Sequence, residues 1–224
     1  MCERFALTAD LSELTGQFQI GKVLFSYKPR YQIVPKQQVA VIVSDGAGKR
    51  LESHRWGLIP FWAKDAVNAD SELAPQKPAY RRLFAKHRCL IPCSGFYGWK
   101  QEGKVRQPVQ IGLRHQELFA VAGLYEIWKD PRGKEFRTCT VLTTPTSRML
   151  ENYNVRLPAI LDDRGIDIWM NPAETDVDLL QAQLRPYHAD LLSASPAQLQ
   201  NDEPEADEEK EGLEWFGKYA MIKK

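Results

Sequence analysis

RCLIPCSGFYGWKQEGKVRQPVQIGLRHQELFAVAGLYEIWKDPRGKEFRTCTVLTT, residues 88–144, is the stretch that decides the fold. Five segments of it are rich in β-branched and aromatic residues: RCLIP, GFYGWKQ, VQIGLR, LFAVAGLYEIW and EFRTCTVLTT. The turns between them carry QEGK and DPRGKE. Working back toward the amino terminus, AYRRLFAKHR (79–88) reads as a short basic helix. GLIPFWAKDAVNADSELAPQKP (57–78) is irregular and rich in Pro and Trp. VAVIV (39–43) and LESHRW (51–56) make a hairpin through SDGAGK. Residues 8–20 are an amphipathic helix with Thr8 or Ser12 as cap and Leu11, Leu14 and Phe18 on one face. Toward the carboxyl terminus the pattern gives a helix near 145–153, a strand in RLPAIL and two more short helices. The second of those begins at Thr175, with Asp178 at capping-box spacing. Beyond about residue 190 the pattern dissolves. Strands and helices are interspersed without a steady βαβ alternation. That predicts a β-rich α+β domain and excludes a doubly wound parallel sheet.

Composition sets the frame. Hydrophobic residues at 43% and charged residues at 26% are the proportions of a chain that folds around one core. No run approaches the roughly 18 apolar residues that cross a bilayer, and MCERFALTAD lacks the apolar segment of an export signal. The expectation is a cytoplasmic monomer with no membrane contact. Cys2, Cys89, Cys93 and Cys139 are then free thiols. Cys89 and Cys93, four apart on a strand, lie roughly 13 Å from each other and cannot chelate one ion. No metal and no cofactor is expected. Cys139 reads as a small buried apolar residue, and His54, His87, His115 and His188 as surface or packing residues.

The net charge of +1 hides an asymmetry. DEPEADEEKE (202–211) holds seven of the 29 acids and one of the 30 bases, leaving a body of +7. Between Lys77 and Arg106 eight Lys or Arg face only Glu102. Such a band suits a phosphate backbone, because binding there releases condensed counterions; a solvated helix and strand face explains it equally well.

Cys2 carries the most distinctive chemistry. With the initiator methionine removed, it presents a thiol and an α-amine on adjacent carbons. The amine, at about 7.7–8.0, is partly unprotonated near neutral pH. It can condense with an aldehyde to an imine, and the thiol can then close a five-membered thiazolidine. Alternatively the amine is a general base for its own side chain, as in amino-terminal hydrolases. A cysteine at position 2 by accident is the third reading, and Cys2 alone leaves all three open.

The remaining pattern is more specific. MCERF, RWGLIPFWAKD, RCLIPCSGFYGWK and RLPAIL closely resemble the signatures of the SRAP (SOS-response-associated peptidase) family, in the same order and at similar separations. AVAGLYEIW, TCTVLTT and PYHAD are also similar to that family. The likeness implies an SRAP-type domain over 1–195, with mixed and antiparallel sheets forming an open barrel-like core flanked by short helices. Residues 196–224 are then an acidic linker and an apolar tail. It also implies single-stranded DNA as partner, capture of an abasic-site aldehyde by Cys2, lyase activity through β-elimination, and autoproteolytic removal of Met1. Asn68 of NADSEL is implied as an abasic-site contact. Arg4, Pro35, Trp62 and Arg156 are implied DNA contacts, with Arg81 and Arg82 as weaker ones. Trp56 and Trp99 read as core residues.

Departures from the family pattern qualify this. Asp70 and Leu73 stand where the family has Arg and Thr. Gly98 replaces the glutamate of GFYEWK, and Asn154 replaces a histidine, so two proton-transfer groups are missing. Glu3 replaces a glycine beside Cys2. The readings in competition are an abasic-site crosslinking enzyme, a catalytically weakened DNA-binding paralogue, and a cysteine peptidase. The last lacks a histidine at a matched position to activate Cys2.

Overall fold

The computed structural model describes residues 3–59, 66–130, 132–146 and 156–199. The expected hairpin is β4 (Gln38–Ser44) and β5 (Lys49–Trp56), paired from Gln38↔Arg55 to Ser44↔Lys49. Its turn needs two glycines, Gly46 at φ +88° and Gly48 at φ +148°. The deciding stretch folds as β7 (Arg88–Cys93), β8 (Gly95–Glu102), β9 (Val105–Leu113), β10 (Phe119–Lys129) and β11 (Glu135–Thr144). In the DPRGKE turn the Asp130 carboxylate accepts from the amides of Arg132 and Lys134, each at 2.8 Å, and Gly133 takes φ +84°.

The barrel-like core closes on itself. β4 pairs with β7, β7 with β10 and β10 with β11, all antiparallel, and β11 returns to β5 through a parallel pairing, Thr138↔Arg55 and Cys139↔Trp56. Register puts Glu52 and His54 of β5, Tyr125 of β10 and Cys139 of β11 on one side. The His54 and Tyr125 rings meet edge-on at 5.5 Å although β11 lies between their strands, so this side faces inward. The interior is polar at this end and apolar at the other, where Ile91, Val121 and Val141 gather.

A second sheet caps the apolar end. Its order is β14 (Leu192–Pro196), β9, β8, β1 (Phe5–Leu7) and β3 (Arg30–Ile33). Short strands complete the barrel sheet: β2 (Ile20–Val23) beside β5, β6 (Asn68–Asp70) and β12 (Leu157–Pro158) beside β11, and β13 (Ile160–Leu161) beside β10. Four α-helices flank the described structure: α1 (Leu11–Phe18), α2 (Pro78–Lys86), α3 (Asp163–Met170) and α4 (Val177–Ala182). None is long and apolar enough to cross a membrane.

Several local expectations are corrected. α1 is capped by Asp10, not Thr8 or Ser12, because Asp10 and Glu13 exchange side-chain-to-backbone bonds at 2.9 and 2.8 Å. Leu11 is exposed, and Leu14 and Phe18 carry the buried face. α4 starts one residue later than expected, with the Asp176 carboxylate accepting from the amides of Asp178 and Leu179. LSASP, read as patternless, forms β14 by backbone pairing to β9. The helix expected near 145–153 falls largely outside the described residues.

Candidate functional site

Trp56 is the pivot of the site. It ends β5 fully buried, donates its amide to Gln37 O at 2.9 Å, and accepts from the Lys36 amide at 2.9 Å. These bonds fix the turn that carries Pro35, half-buried, and Lys36, held at φ +76°. The indole N–H reaches Val67 O at 2.9 Å, and the indole ring meets Phe5 edge-on at 5.2 Å. One side chain therefore ties β1, which leads back to the amino terminus, to the residue before Asn68. Gly57, at φ +128°, turns the chain away while its amide donates to Cys139 O at 2.8 Å.

The other motif residues gather around this pivot. Asn68 opens β6, buried, opposite Val141 of β11. Tyr97 N donates to Arg4 O at 2.9 Å, so Gly98, paired with Val109, is one residue along β8 from the start of β1. The Arg4 guanidinium bonds the side-chain oxygen of Gln32. One small apolar cavity is lined by Phe5, Phe96, Val141 and Pro158. Each sits within two residues of, or directly paired with, Arg4, Gly98, Asn68 or Arg156. Segments 150 residues apart in sequence thus meet at the apolar mouth of the barrel.

Arg156 stands at the edge of this mouth. Its Nε donates to Thr143 Oγ1 at 3.1 Å, and its Nη2 donates to Thr143 O at 3.0 Å and pairs with Asp70 Oδ2 at 2.9 Å. Asp70, which stands where the family pattern has arginine, is thus neutralised inside the protein by this ion pair. Arg81 and Arg82 lie apart, exposed on α2, with Arg82 paired to Glu126. Cys2, Trp62 and Asn154 lie outside the described residues.

The basic band from Lys77 to Arg106 is not one face. Arg88 is buried, donating to Trp169 O (2.7 Å), Asn171 O (2.6 Å), Ala85 O (2.9 Å) and Glu174 O (3.0 Å). It neutralises the carbonyl ends of α2 and α3, a structural role. Trp99 is not a core residue: it is half-exposed on β8, under the Arg106 guanidinium at 5.2 Å. Trp56 is a core residue, as is Trp169 of α3.

Cys89 and Cys139 are fully buried, and burial pushes both thiols up, away from the thiolate. Cys93 is buried with its Sγ 3.2 Å from Gly95 O. None of these described cysteines is a solvent-reachable nucleophile. His54 Nε2 lies 3.1 Å from Glu52 Oε2 inside the barrel, His87 stacks on Tyr125, and His115 and His188 are exposed. Burial works to raise the Glu52 carboxyl, but its bonds to His54 and Arg137 outweigh that and hold it down at about 2. This polar plug was not recognised from sequence, because KRLESHRW carries polar residues on both faces of the strand and nothing in it marks Glu52 and His54 as an inward pair. Among the described residues no three His, Cys, Asp or Glu side chains are grouped as metal ligands.

Known proteins are similar to this chain in sequence and in fold. The profile of the SOS response associated peptidase (SRAP) family matches residues 1–200. The abasic site processing protein YoqW of Bacillus subtilis is 41% identical over 203 residues, which span 87% of this chain and 91% of that protein. The abasic site processing protein HMCES of Gallus gallus is 28% identical, over 80% of this chain and 66% of its own. A crystal structure of a protein from Bacteroides thetaiotaomicron superposes with a TM-score of 0.75 at 25% identity, covering 90% of this chain and 93% of that one. With the family profile spanning the described fold from β1 through β14, this chain belongs to the SRAP family.

Proposed function

We propose that this chain processes abasic sites in single-stranded DNA, capturing the ring-opened sugar through Cys2 once Met1 is removed. The observation that carries the proposal is the convergence at Trp56: the strand leading back to Cys2 and the strand opened by Asn68 are held together by one buried indole. Membership of a family whose relatives are named abasic site processing proteins supports it. So does the burial of Cys89, Cys93 and Cys139, which leaves Cys2 as the cysteine to carry the reaction.

The chemistry runs as follows. The unprotonated α-amine of Cys2 adds to the sugar aldehyde and water leaves, giving an imine. The Cys2 thiol then adds across the C=N bond, its proton passing to nitrogen, to close a thiazolidine. Loss of the proton next to the imine carbon, with departure of the 3′ phosphate, is the competing lyase route. Asn68 hydrogen-bonds the opened sugar, while Arg4 and Arg156 engage backbone phosphates and Trp62 stacks on bases. Pro35 shapes the rim, and Arg81 and Arg82 add longer-range attraction. Autoproteolysis at Met1 exposes the amine, and the protein acts as a monomer.

A second reading has its own observation. Gly98 offers no titratable atom beside the start of β1, which favours a paralogue that grips damaged DNA and turns over slowly. One experiment separates the two. Mature protein and Cys2→Ala are incubated with a single-stranded oligonucleotide bearing one abasic site and resolved on a denaturing gel, with intact-mass analysis of the amino terminus. A shifted band in the wild type alone supports capture. Tight binding without a covalent band supports the paralogue, and Met1 still attached overturns the Cys2 chemistry.

A further inference from the structure

Asp70 and Arg156 form a clasp at the rim of the site. Asp70 is the last residue of β6 and pairs with Thr143 of β11; Arg156 enters β12 on the other side of that same threonine. The two Asp70 oxygens have separate tasks. Oδ1 accepts from the amides of Glu72 (2.9 Å) and Leu73 (3.3 Å), holding the loop that follows β6. Oδ2 faces Arg156 Nη2 at 2.9 Å. Thr143 completes the clasp: its hydroxyl lies 3.3 Å from Ala69 O, and its carbonyl accepts from both Ser71 N and Arg156 Nη2 at 3.0 Å. The guanidinium is thus oriented by Thr143 and neutralised by Asp70. Both side chains remain open to solvent, at 32% for Arg156 and 26% for Asp70. A fixed, solvent-reachable guanidinium is an anion site, and here a carboxylate of the same chain fills it.

We propose that Asp70 is an internal competitor for the phosphate that Arg156 would bind, and so sets the affinity and salt dependence of this chain for a nucleic-acid backbone. The inference rests on the DNA-binding reading above and deepens it. A phosphodiester approaching Arg156 must displace Asp70 or lie beside it. Two like charges about 5 Å apart at a wet protein surface oppose each other by roughly a factor of ten in binding. Releasing Arg156 to one phosphate also steepens the dependence of log K on log salt by about 0.7 for a single strand.

The test is a double-mutant cycle on the full chain. Asp70→Asn keeps an oxygen for the Glu72 and Leu73 amides and removes the charge; Asp70→Ser is the second variant should the first misfold. Binding of an unmodified single-stranded oligonucleotide is measured across a salt series for wild type, Asp70→Asn, Arg156→Ala and the double variant. The expected result is about tenfold tighter binding by Asp70→Asn with a steeper salt slope, both lost when Arg156 is also removed. Equal tightening with and without Arg156 reports plain charge and overturns the proposal, as does an unchanged slope. A second arm does not depend on nucleic acid: inorganic pyrophosphate raises the melting temperature of Asp70→Asn more than that of wild type or of the double variant. If no protein binds the oligonucleotide but this pyrophosphate difference holds, the DNA reading fails and the competition stands. Equal pyrophosphate shifts in all variants sink the competition itself.

Discussion

Replacing Trp56 with Phe tests whether the pivot positions the reaction or only fills the core. The phenyl ring still meets Phe5, but the indole N–H to Val67 O is lost. Val67 O keeps two donors, the Val141 amide at 3.2 Å and Thr140 Oγ1 at 3.0 Å, so no buried carbonyl is orphaned. The loss is then one ordinary hydrogen bond, about 1 kcal/mol, without a desolvation penalty. The ring difference leaves a void of about 40 Å³, which at about 24 cal/mol per Å³ adds about 1 kcal/mol. A total of about 2 kcal/mol lowers the melting temperature of a domain this size by about 4–8 °C. The kinetic effect is larger in proportion. With Val67 no longer bonded to the side chain that meets Phe5, the separation of Phe5 and Asn68 is less firmly fixed, and a misplacement of 1 Å costs about 10²-fold in rate. The assay is single-turnover crosslinking to an abasic oligonucleotide well below the melting temperature, beside Leu51→Ala. Leu51 is fully buried on the same strand, five residues from Trp56 and so on the opposite face, and its truncation costs about 2–5 kcal/mol. Trp56→Phe slows crosslinking at least tenfold while Leu51→Ala does not. If both variants crosslink at the wild-type rate once corrected for folded fraction, the positioning argument is wrong.

Glu52 supplies a pH prediction. Its folded pKa of about 2 lies below the ordinary 4.5, so its stabilisation is complete above about pH 4.5 and is lost as pH falls toward 2. The shift corresponds to at most about 3 kcal/mol, and Glu52→Gln flattens the acid limb of urea midpoints measured from pH 6 to pH 2.5. Gly98→Glu restores a carboxylate in an extended strand, opposite Val109, and speeds imine formation by about 10²-fold, read as the crosslinking rate at saturating oligonucleotide. An unchanged rate dissociates position 98 from proton transfer.

The strands were legible because each has its own local signal: residue type, alternation and a turn with the right Gly or Asp. The hairpin of β4 and β5 and the DPRGKE turn form as the sequence predicts. Closure of the barrel was not legible in the residues alone. It depends on a parallel contact between β5 and β11, whose partners Arg55 and Thr138 are 83 positions apart and carry no local mark of each other. Caps failed for a different reason. Thr8, Asp10 and Ser12 can all cap, and the choice falls to Asp10 because only there is Glu13 three residues on to answer it. Arg88 was read as surface charge because a count of charges is blind to direction. Its place directly before a wholly apolar strand, and after a helix whose carbonyls need donors, was the available signal. Within the site, Asn68, Asp70, Gly98 and Arg156 could be named from motifs. That Asp70 and Arg156 neutralise each other across Thr143 required the three-strand register.

The position of the departures matters more than their number. On the proposed chemistry, both bond-forming atoms belong to Cys2, so the scaffold must hold an aldehyde within reach of one residue rather than align a separate nucleophile and base. A missing proton-transfer group, as at Gly98, then slows the reaction by a bounded factor, because water and the α-amine can move protons themselves. A loosened pivot has no such substitute: Phe5, Trp56, Val67 and Asn68 form one chain of contacts from β1 to the sugar contact, and a gap anywhere in it separates the reactants. The rim follows the same logic. Asp70 weakens the attraction of Arg156 for phosphate but, by bonding the Glu72 and Leu73 amides, orders the loop that follows Asn68. The residue that lowers affinity is also the one that orders the loop beyond β6, the strand that Asn68 opens. Affinity and placement therefore respond in opposite directions to Asp70→Ala: with the amide bonds gone as well as the charge, binding tightens while crosslinking per bound strand falls.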